Sequence, residues 1–154
     1  MLLTRKAWYG LIVVKHLAEQ PRESSLSAKD LAELYGFPQE ALAKILQRLA
    51  RAGLLLSHHG MRGGYSLARD PHQISVLDVI KASEEATRDG IHGKYGRNLE
   101  SVPGYHQLHR VSQIVEDALR RVMIADIKEE ASSPTDGEPH TASYATTPNA
   151  KHTV

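Results

Sequence analysis

The sequence predicts a mainly α-helical fold that carries a small two-stranded β-wing and ends in one long helix. Three observations support that expectation. Apolar residues recur at helical spacing in several short segments bounded by Ser, Pro and Gly. The runs Leu54-Leu55-Leu56 and Tyr65-Ser66-Leu67-Ala68 flank Gly63-Gly64, which is a hairpin signal. Farther on, Leu108, Val111, Val115, Ala118, Val122 and Ala125 alternate at spacings of three and four, a heptad seam.

The elements follow in order. A first helix is expected from Lys6 to Glu19, with Ala7, Leu11, Val14 and Ala18 on one face and Pro21 as its stop. Ser27 with Asp30 three residues on forms a capping box for a second helix, whose apolar side is Leu31, Ala32 and Leu34. Gly36 can take the left-handed conformation that ends it. Pro38 opens a third helix with an inner face of Leu42, Ile45, Leu46 and Leu49, and Gly53 closes it. Leu54 to Leu56 read as a short buried strand. Ile74 to Glu85 read as a fourth helix with Val76, Val79 and Ile80 inward. Residues 86–104 hold five glycines or prolines and read as a long loop. The longest helix is expected from Tyr105 to Glu129, where Ile114, Leu119 and Ile127 widen the apolar stripe enough for two partners, its own domain and a second chain.

The chain has 154 residues, room for one domain with a tail. The stretch 131–154 is rich in Ser, Thr, Pro and Ala, and is expected to be a disordered tail. The expected division is therefore 1–82 for a winged helix-turn-helix, 83–104 for a loop, 105–130 for the long helix and 131–154 for the tail. With 41% apolar and 24% charged residues, the composition is that of a soluble globular chain. The opening MLLTRKAWYG lacks the apolar stretch of a signal peptide, and no segment is long enough to span a bilayer, so a cytoplasmic protein is expected. There is no cysteine, which excludes disulfides, thiolate metal sites and cysteine nucleophiles. No P-loop, G-x-S-x-G elbow, H-E-x-x-H or dinucleotide fingerprint is present, so no enzyme is expected.

Two short helices joined by a tight turn and followed by a β-ribbon make the winged helix-turn-helix arrangement. Only a helix or a β-ribbon fits the major groove, and a reading helix needs one buried face and one face of donors. The third helix offers Gln39, Glu40, Ala43, Lys44, Gln47 and Arg51 outward. Gln can pair with adenine, Lys and Arg can reach guanine or phosphate, and Glu can accept from cytosine. From Gly36 to Arg69 the basic residues are Lys44, Arg48, Arg51, Arg62 and Arg69 against the single acid Glu40, while the whole chain is only +1. Charge is thus concentrated on one segment, as a nucleic-acid surface requires. A solvated amphipathic helix would carry the same pattern.

The run from Leu31 to Ala82 closely resembles a family of bacterial regulators that includes the iron–sulfur-cluster regulator, the nitric-oxide-sensing repressor and the cysteine-metabolism repressor. The shared features are Leu31-Ala32-Glu33, Leu49, Ala52-Gly53-Leu54, Gly63-Gly64-Tyr65, Leu67-Ala68-Arg69, Ile74 and Leu77-Asp78-Val79-Ile80, with Leu3-Thr4 and Tyr9 at the start. The resemblance covers residues 1–130. It implies a homodimeric transcription regulator, whose long helices cross through Leu108, Val111, Val115, Ala118, Leu119 and Val122. Two reading heads would then meet a palindromic operator with half-sites about 34 Å apart. By position, His58, His59 and Arg62 of the wing would contact the minor groove or phosphate. Thr4, Arg5, Lys6, Ser27 and Lys29 are candidate phosphate contacts, as is Arg48 at the flank of the third helix.

Many members of that family hold an iron–sulfur cluster on cysteines in the loop before the dimer helix. Here the matching end of the loop reads His106-Gln107-Leu108-His109, and His92 lies near the first cysteine position. Trp8 stands where some members take a ligand from the partner. No cysteine-ligated cluster is therefore expected, and no cofactor. The imidazoles of His92, His106 and His109 could hold a divalent metal instead, which would make a histidine-based metal-responsive regulator. The other alternative is a winged helix that no longer binds DNA and serves as a protein-interaction module.

Overall fold

The computed structural model describes residues 3–61, 63–84 and 103–128. Helix α1 spans Arg5–Glu19, and the Thr4 hydroxyl caps it by accepting from the Ala7 amide at 3.2 Å. Helix α2 spans Ala28–Tyr35 and begins with the expected capping box, in which Ser27 and Asp30 satisfy each other's backbone amides. The Ser27 hydroxyl, and with it the Ser27 amide, donates to the Asp30 carboxylate and holds that carboxyl below its ordinary range. Gly36, at φ 66°, ends α2 in the left-handed region that a side chain would disfavour. Helix α3 spans Gln39–Arg51, with Pro38 as its N-cap. Strands β1 (Leu55–His58) and β2 (Gly64–Leu67) pair antiparallel, with Leu55 opposite Leu67 and His58 opposite Gly64.

A 3-10 turn, Pro71–Gln73, leads into helix α4 over Val76–Ser83, which is closed at its start by a second capping box between Ser75 and Asp78. Helix α5 spans Tyr105–Arg121 and a final 3-10 turn covers Ile124–Asp126. Among the described residues no helix is long and apolar enough to cross a membrane. The expected tail lies outside the described residues, as does most of the expected loop.

The core is built where the first four helices meet. Leu42, Ile45, Leu46 and Leu49 of α3 are all buried, as their spacing requires, against Ala7, Leu11, Val13, Val14 and Leu17 of α1, Leu31 of α2 and Val76, Val79 and Ile80 of α4. Each large side chain buried this way is worth about 1.5–3 kcal/mol. An aromatic stack fixes the turn between α2 and α3. Phe37 lies 4.1 Å from Tyr9 and 5.4 Å from Tyr35, ring centre to ring centre, and the Tyr35 hydroxyl bonds His16 Nδ1 at 2.8 Å. The wing is anchored too, because Leu26 and Tyr65 exchange backbone bonds of 3.1 and 2.8 Å. A Cβ on Gly64 would come within 2.6 Å of the Leu26 carbonyl, so only glycine permits that approach.

Several expectations need correction. Leu34 and Leu56 are exposed rather than buried. Leu56 alternates with buried Leu55 on a strand that has only one covered face. The long helix stops at Arg121, eight residues short of Glu129. Val122, placed in the helical seam, is instead extended, and its carbonyl accepts from the Val76 amide at 2.9 Å. Met123 bridges Ser75, the Ile124 amide donates to the Ile74 carbonyl at 2.8 Å, and Ile124 is buried in the core. Leu119 and Ile127 also pack on that core, so they do not widen the outward stripe. Backbone bonding to the strand-like entry of α4 wins over continued helix, a competition that periodicity cannot register.

Helices α1 and α4 cross closely at Gly10 and Ser83. A Cβ on Gly10 would lie 1.9 Å from Ser83 Oγ, and that hydroxyl is itself buried without a hydrogen-bond partner. Gly10→Ala should therefore destabilise the fold by about 1–3 kcal/mol, read as a lower denaturant midpoint. Ser83→Ala, which removes an unsatisfied oxygen, should leave the midpoint unchanged or raise it. Phe37→Leu keeps the apolar bulk but loses both ring contacts, and should cost about 1 kcal/mol in the same measurement.

Candidate nucleic-acid interface

Helix α3 presents the side that its core face leaves free. Glu40, Lys44, Gln47 and Arg51 are exposed and follow one another at spacings of four, three and four, so they form one stripe along the helix. Gln39 is exposed beside them at the N-terminus. Ala43 is half-buried, while Ala41 is exposed, a position that the sequence pattern did not single out. Arg48 is turned aside. It is half-buried, and its Nη1 donates to the Ser83 carbonyl at 3.2 Å, tying α3 to α4.

The wing lies beyond the end of α3. His58 is exposed but bonds Ser66 Oγ across the ribbon at 2.7 Å, and His59 is exposed. The Gly63 amide donates to the Gly60 carbonyl at 2.9 Å and closes the tip, which leaves Met61 wholly exposed. Arg62 lies outside the described residues. At the other flank, Arg5 and Lys6 are exposed at the start of α1. The Thr4 hydroxyl, besides capping α1, donates to Glu84 Oε1 at 2.9 Å. Ser27 is engaged in its capping box, and Lys29 faces Glu33 at 3.8 Å. Ser27 thus performs the capping duty its spacing announced, while Thr4 has a structural duty that the sequence pattern did not reveal.

Helix α5 rests on α4, where Lys81 Nζ bonds Glu116 Oε2 at 2.8 Å. That ammonium holds the Glu116 carboxyl below the ordinary glutamate range. The opposite side of α5 is apolar and open. Leu108 is 72% exposed, Val111 58%, Ile114 68% and Val115 43%, with Ala118 exposed beside them. Ile114 belongs to this face as much as the seam residues do. Val122, though outside the helix, is also 43% exposed. At the start of α5, Tyr105 stacks on His109 with ring centres 5.7 Å apart and meets His106 edge-on at 5.6 Å. His109 Nε2 lies 3.1 Å from Gln113 Nε2. His92 lies outside the described residues, and among those residues no three metal-capable side chains converge.

This architecture is shared with known proteins. Residues 3–130 match the Rrf2 family, described as an iron-dependent transcriptional regulator. A candidate HTH-type transcriptional regulator of Synechocystis sp., slr0846, is 34% identical over 137 residues, covering 86% of this chain and 91% of its own. The solved structure of IscR from T. potens aligns with a TM-score of 0.64 at 27% identity, over 90% of this chain and 94% of that one. The oxidized form of CymR from Staphylococcus aureus gives 0.65 at 28% identity, over 86% and 100% of the two chains.

The iron of the family description poses a test of donor chemistry. Thiolates are the usual ligands of iron–sulfur clusters, and this chain has no cysteine. The side chains at the start of α5 are exposed imidazoles, His109 stacked on Tyr105 and His106 edge-on to it. They do not fit a thiolate-held cluster. The match along residues 3–130, the winged helix that carries it and the likeness to these regulators lead to one assignment: the chain belongs to the Rrf2 family of DNA-binding transcription regulators, as a cysteine-free member.

Proposed function

We propose that this protein is a homodimeric repressor that reads a palindromic DNA operator without an iron–sulfur cluster. The observation that carries the proposal is the exposed stripe Glu40-Lys44-Gln47-Arg51 on a helix whose other face is locked into the core. A side chain reads a base edge only if its helix is held at a set angle, and the buried leucines and Ile45 supply that hold. Gln47 is assigned to base readout, with Gln39 and Glu40 nearer the helix start. Lys44 and Arg51 supply charge to bases or phosphate. Arg5, Lys6, Lys29, His58, His59 and Arg62 are assigned to the backbone or minor groove at the flanks. Thr4, Ser27 and Arg48 contribute mainly by holding elements in place, with any phosphate contact secondary.

The open apolar face of α5 supports a second copy of the chain as partner. A two-fold axis would bring Leu108, Val111, Val115 and Ala118 against their own counterparts, with Ile114 beside them and Leu119 and Val122 at the margin. In this arrangement residues 1–82 read DNA, 105–130 join the two copies and 83–104 link the two functions. Lack of thiolates leaves control to another ligand or partner.

Selection of bound duplexes from a random pool tests the whole reading. An enriched inverted repeat, bound with an affinity that falls as salt rises, is the expected result. No enrichment and no salt-sensitive affinity would reject it and leave a protein-interaction module. On the selected operator, Lys44→Ala should weaken binding and lower the salt slope by about one. Gln47→Ala should lose about 1–3 kcal/mol of discrimination at one base pair, and an unchanged ranking of operator variants would remove Gln47 from base readout. Val115→Asp should elute as a monomer on a sizing column, whereas an intact dimer would place the interface elsewhere.

A further inference from the structure

An open cavity of about 540 Å³ lies between the end of α3 and α4, away from the Gln39 end of the reading stripe. Its wall carries four cationic side chains, Arg48 and Arg51 from α3, Arg69 from the segment after β2, and Lys81 from α4. The acids beside them are Asp78 and Glu84. Both acids already accept hydrogen bonds. Asp78 Oδ2 takes the Ser75 amide at 3.0 Å and its hydroxyl at 2.8 Å, and Glu84 Oε1 takes the Thr4 hydroxyl.

The guanidinium groups are held in a different way. Arg69 Nε donates to the Gly53 carbonyl at 3.0 Å and its Nη2 to the Ala52 carbonyl at 3.4 Å, while Arg48 donates to the Ser83 carbonyl. A carbonyl fixes a guanidinium but does not neutralise it, and five N–H donors leave several to spare. Neither Arg51 nor Arg69 is paired with a carboxylate among the described residues. The cavity therefore has one fixed fork, Arg69, and beside it Arg51, neither paired with a carboxylate among the described residues, together with the ammonium that Lys81 shares with Glu116, an arrangement that can recognise a planar carboxylate or a phosphate.

We infer that this cavity between α3 and α4 binds a small oxyanion of the phosphate or carboxylate class through Arg51, Arg69 and Lys81, and that the bound anion opposes DNA binding. The second half of the inference rests on the DNA reading above. An anion that engages Arg51 draws its charge from the end of the reading stripe. By engaging Lys81 it competes with Glu116, and so loosens the contact through which α4 holds α5. One small ligand would thus act on the reading helix and on the proposed dimer helix together, with no need of a thiolate. The coupling is reciprocal, so operator DNA lowers the affinity for the anion by the same factor.

The test starts without DNA. The full chain is titrated with inorganic phosphate and, separately, with malonate, each at constant ionic strength against chloride, with amide shifts followed by NMR. Saturable shifts around Arg48, Arg51, Arg69 and Lys81 for at least one anion are expected, and the tighter anion gives the class. Affinity should drop about tenfold or more in Arg69→Gln and in Lys81→Gln, the loss expected for one charge-assisted hydrogen bond. The Lys81–Glu116 pair is an exposed ion pair of small worth, so the Lys81→Gln variant should lower the melting temperature only slightly even if Arg69→Gln lowers it more. Shifts that never saturate, that map elsewhere, or that persist unchanged in the Lys81→Gln variant overturn the site. In a second arm, the saturating anion should weaken operator binding beyond matched chloride in the wild type but not in Lys81→Gln. Equal weakening in both, or none, overturns the coupling. Failure of the DNA reading itself would leave the first arm standing.

Discussion

Burial of Leu42, Ile45, Leu46 and Leu49 on one side of α3 is the constraint on which the remaining structure depends. Those four side chains meet α1, α2 and α4 at once, so the rotation of α3 about its own axis is set by packing. Interiors are close-packed, and a helix seated by four large side chains has little freedom to roll. The polar stripe on the other side inherits that precision. Gln47 and Lys44 are held at set positions because their neighbours in sequence are locked inside, and in the proposed reading a change deep in the core would reach DNA through the same lever.

Around this seat, the smaller interactions share one purpose, to hold the elements on either side of α3. The Tyr9–Phe37–Tyr35 stack secures its entry, and the carbonyl bonds of Arg48 and Arg69 secure its exit. The Leu26–Tyr65 exchange pins the wing to the start of α2. Two capping boxes set the first turns of α2 and α4. Several candidate DNA contacts turn out to carry these bonds. Thr4, Ser27 and Arg48 are polar residues near a basic face, yet each satisfies a cap or a neighbouring helix.

The apolar side of α5 stands apart from this economy of burial. Leu108, Val111, Ile114 and Val115 are open to water in one chain, while the same helix is fastened to α4 on its other side. Contiguous exposed apolar surface of that kind marks an interaction site in a soluble protein. The family is described as iron-dependent, but a chain without cysteine has no thiolate with which to hold an iron–sulfur cluster. Arg51 and Arg69, unpaired with a carboxylate among the described residues, are the cationic chemistry at the end of α3.

Much of the protein was legible from its residues alone. The 3–4–7 spacing of Leu42, Ile45, Leu46 and Leu49 identified the buried face of α3. Ser27 with Asp30 identified the start of α2, and Gly36 its end. Those features are local, and local patterns follow from backbone periodicity and from caps that act within a few residues. The lack of cysteine by itself excludes thiolate ligands. What the sequence could not decide were competitions between distant segments. The heptad pattern ran on through Val122 and Ala125, yet the chain leaves the helix there because the amides and carbonyls at Ile74 and Val76 offer it better hydrogen bonds. The closeness of Gly10 to Ser83, the retirement of Arg48 to a carbonyl on α4, and the gathering of Arg51, Arg69 and Lys81 around one cavity also join residues far apart in the chain. Spacing along one strand of sequence carries no information about such meetings, because they are set by how whole helices pack.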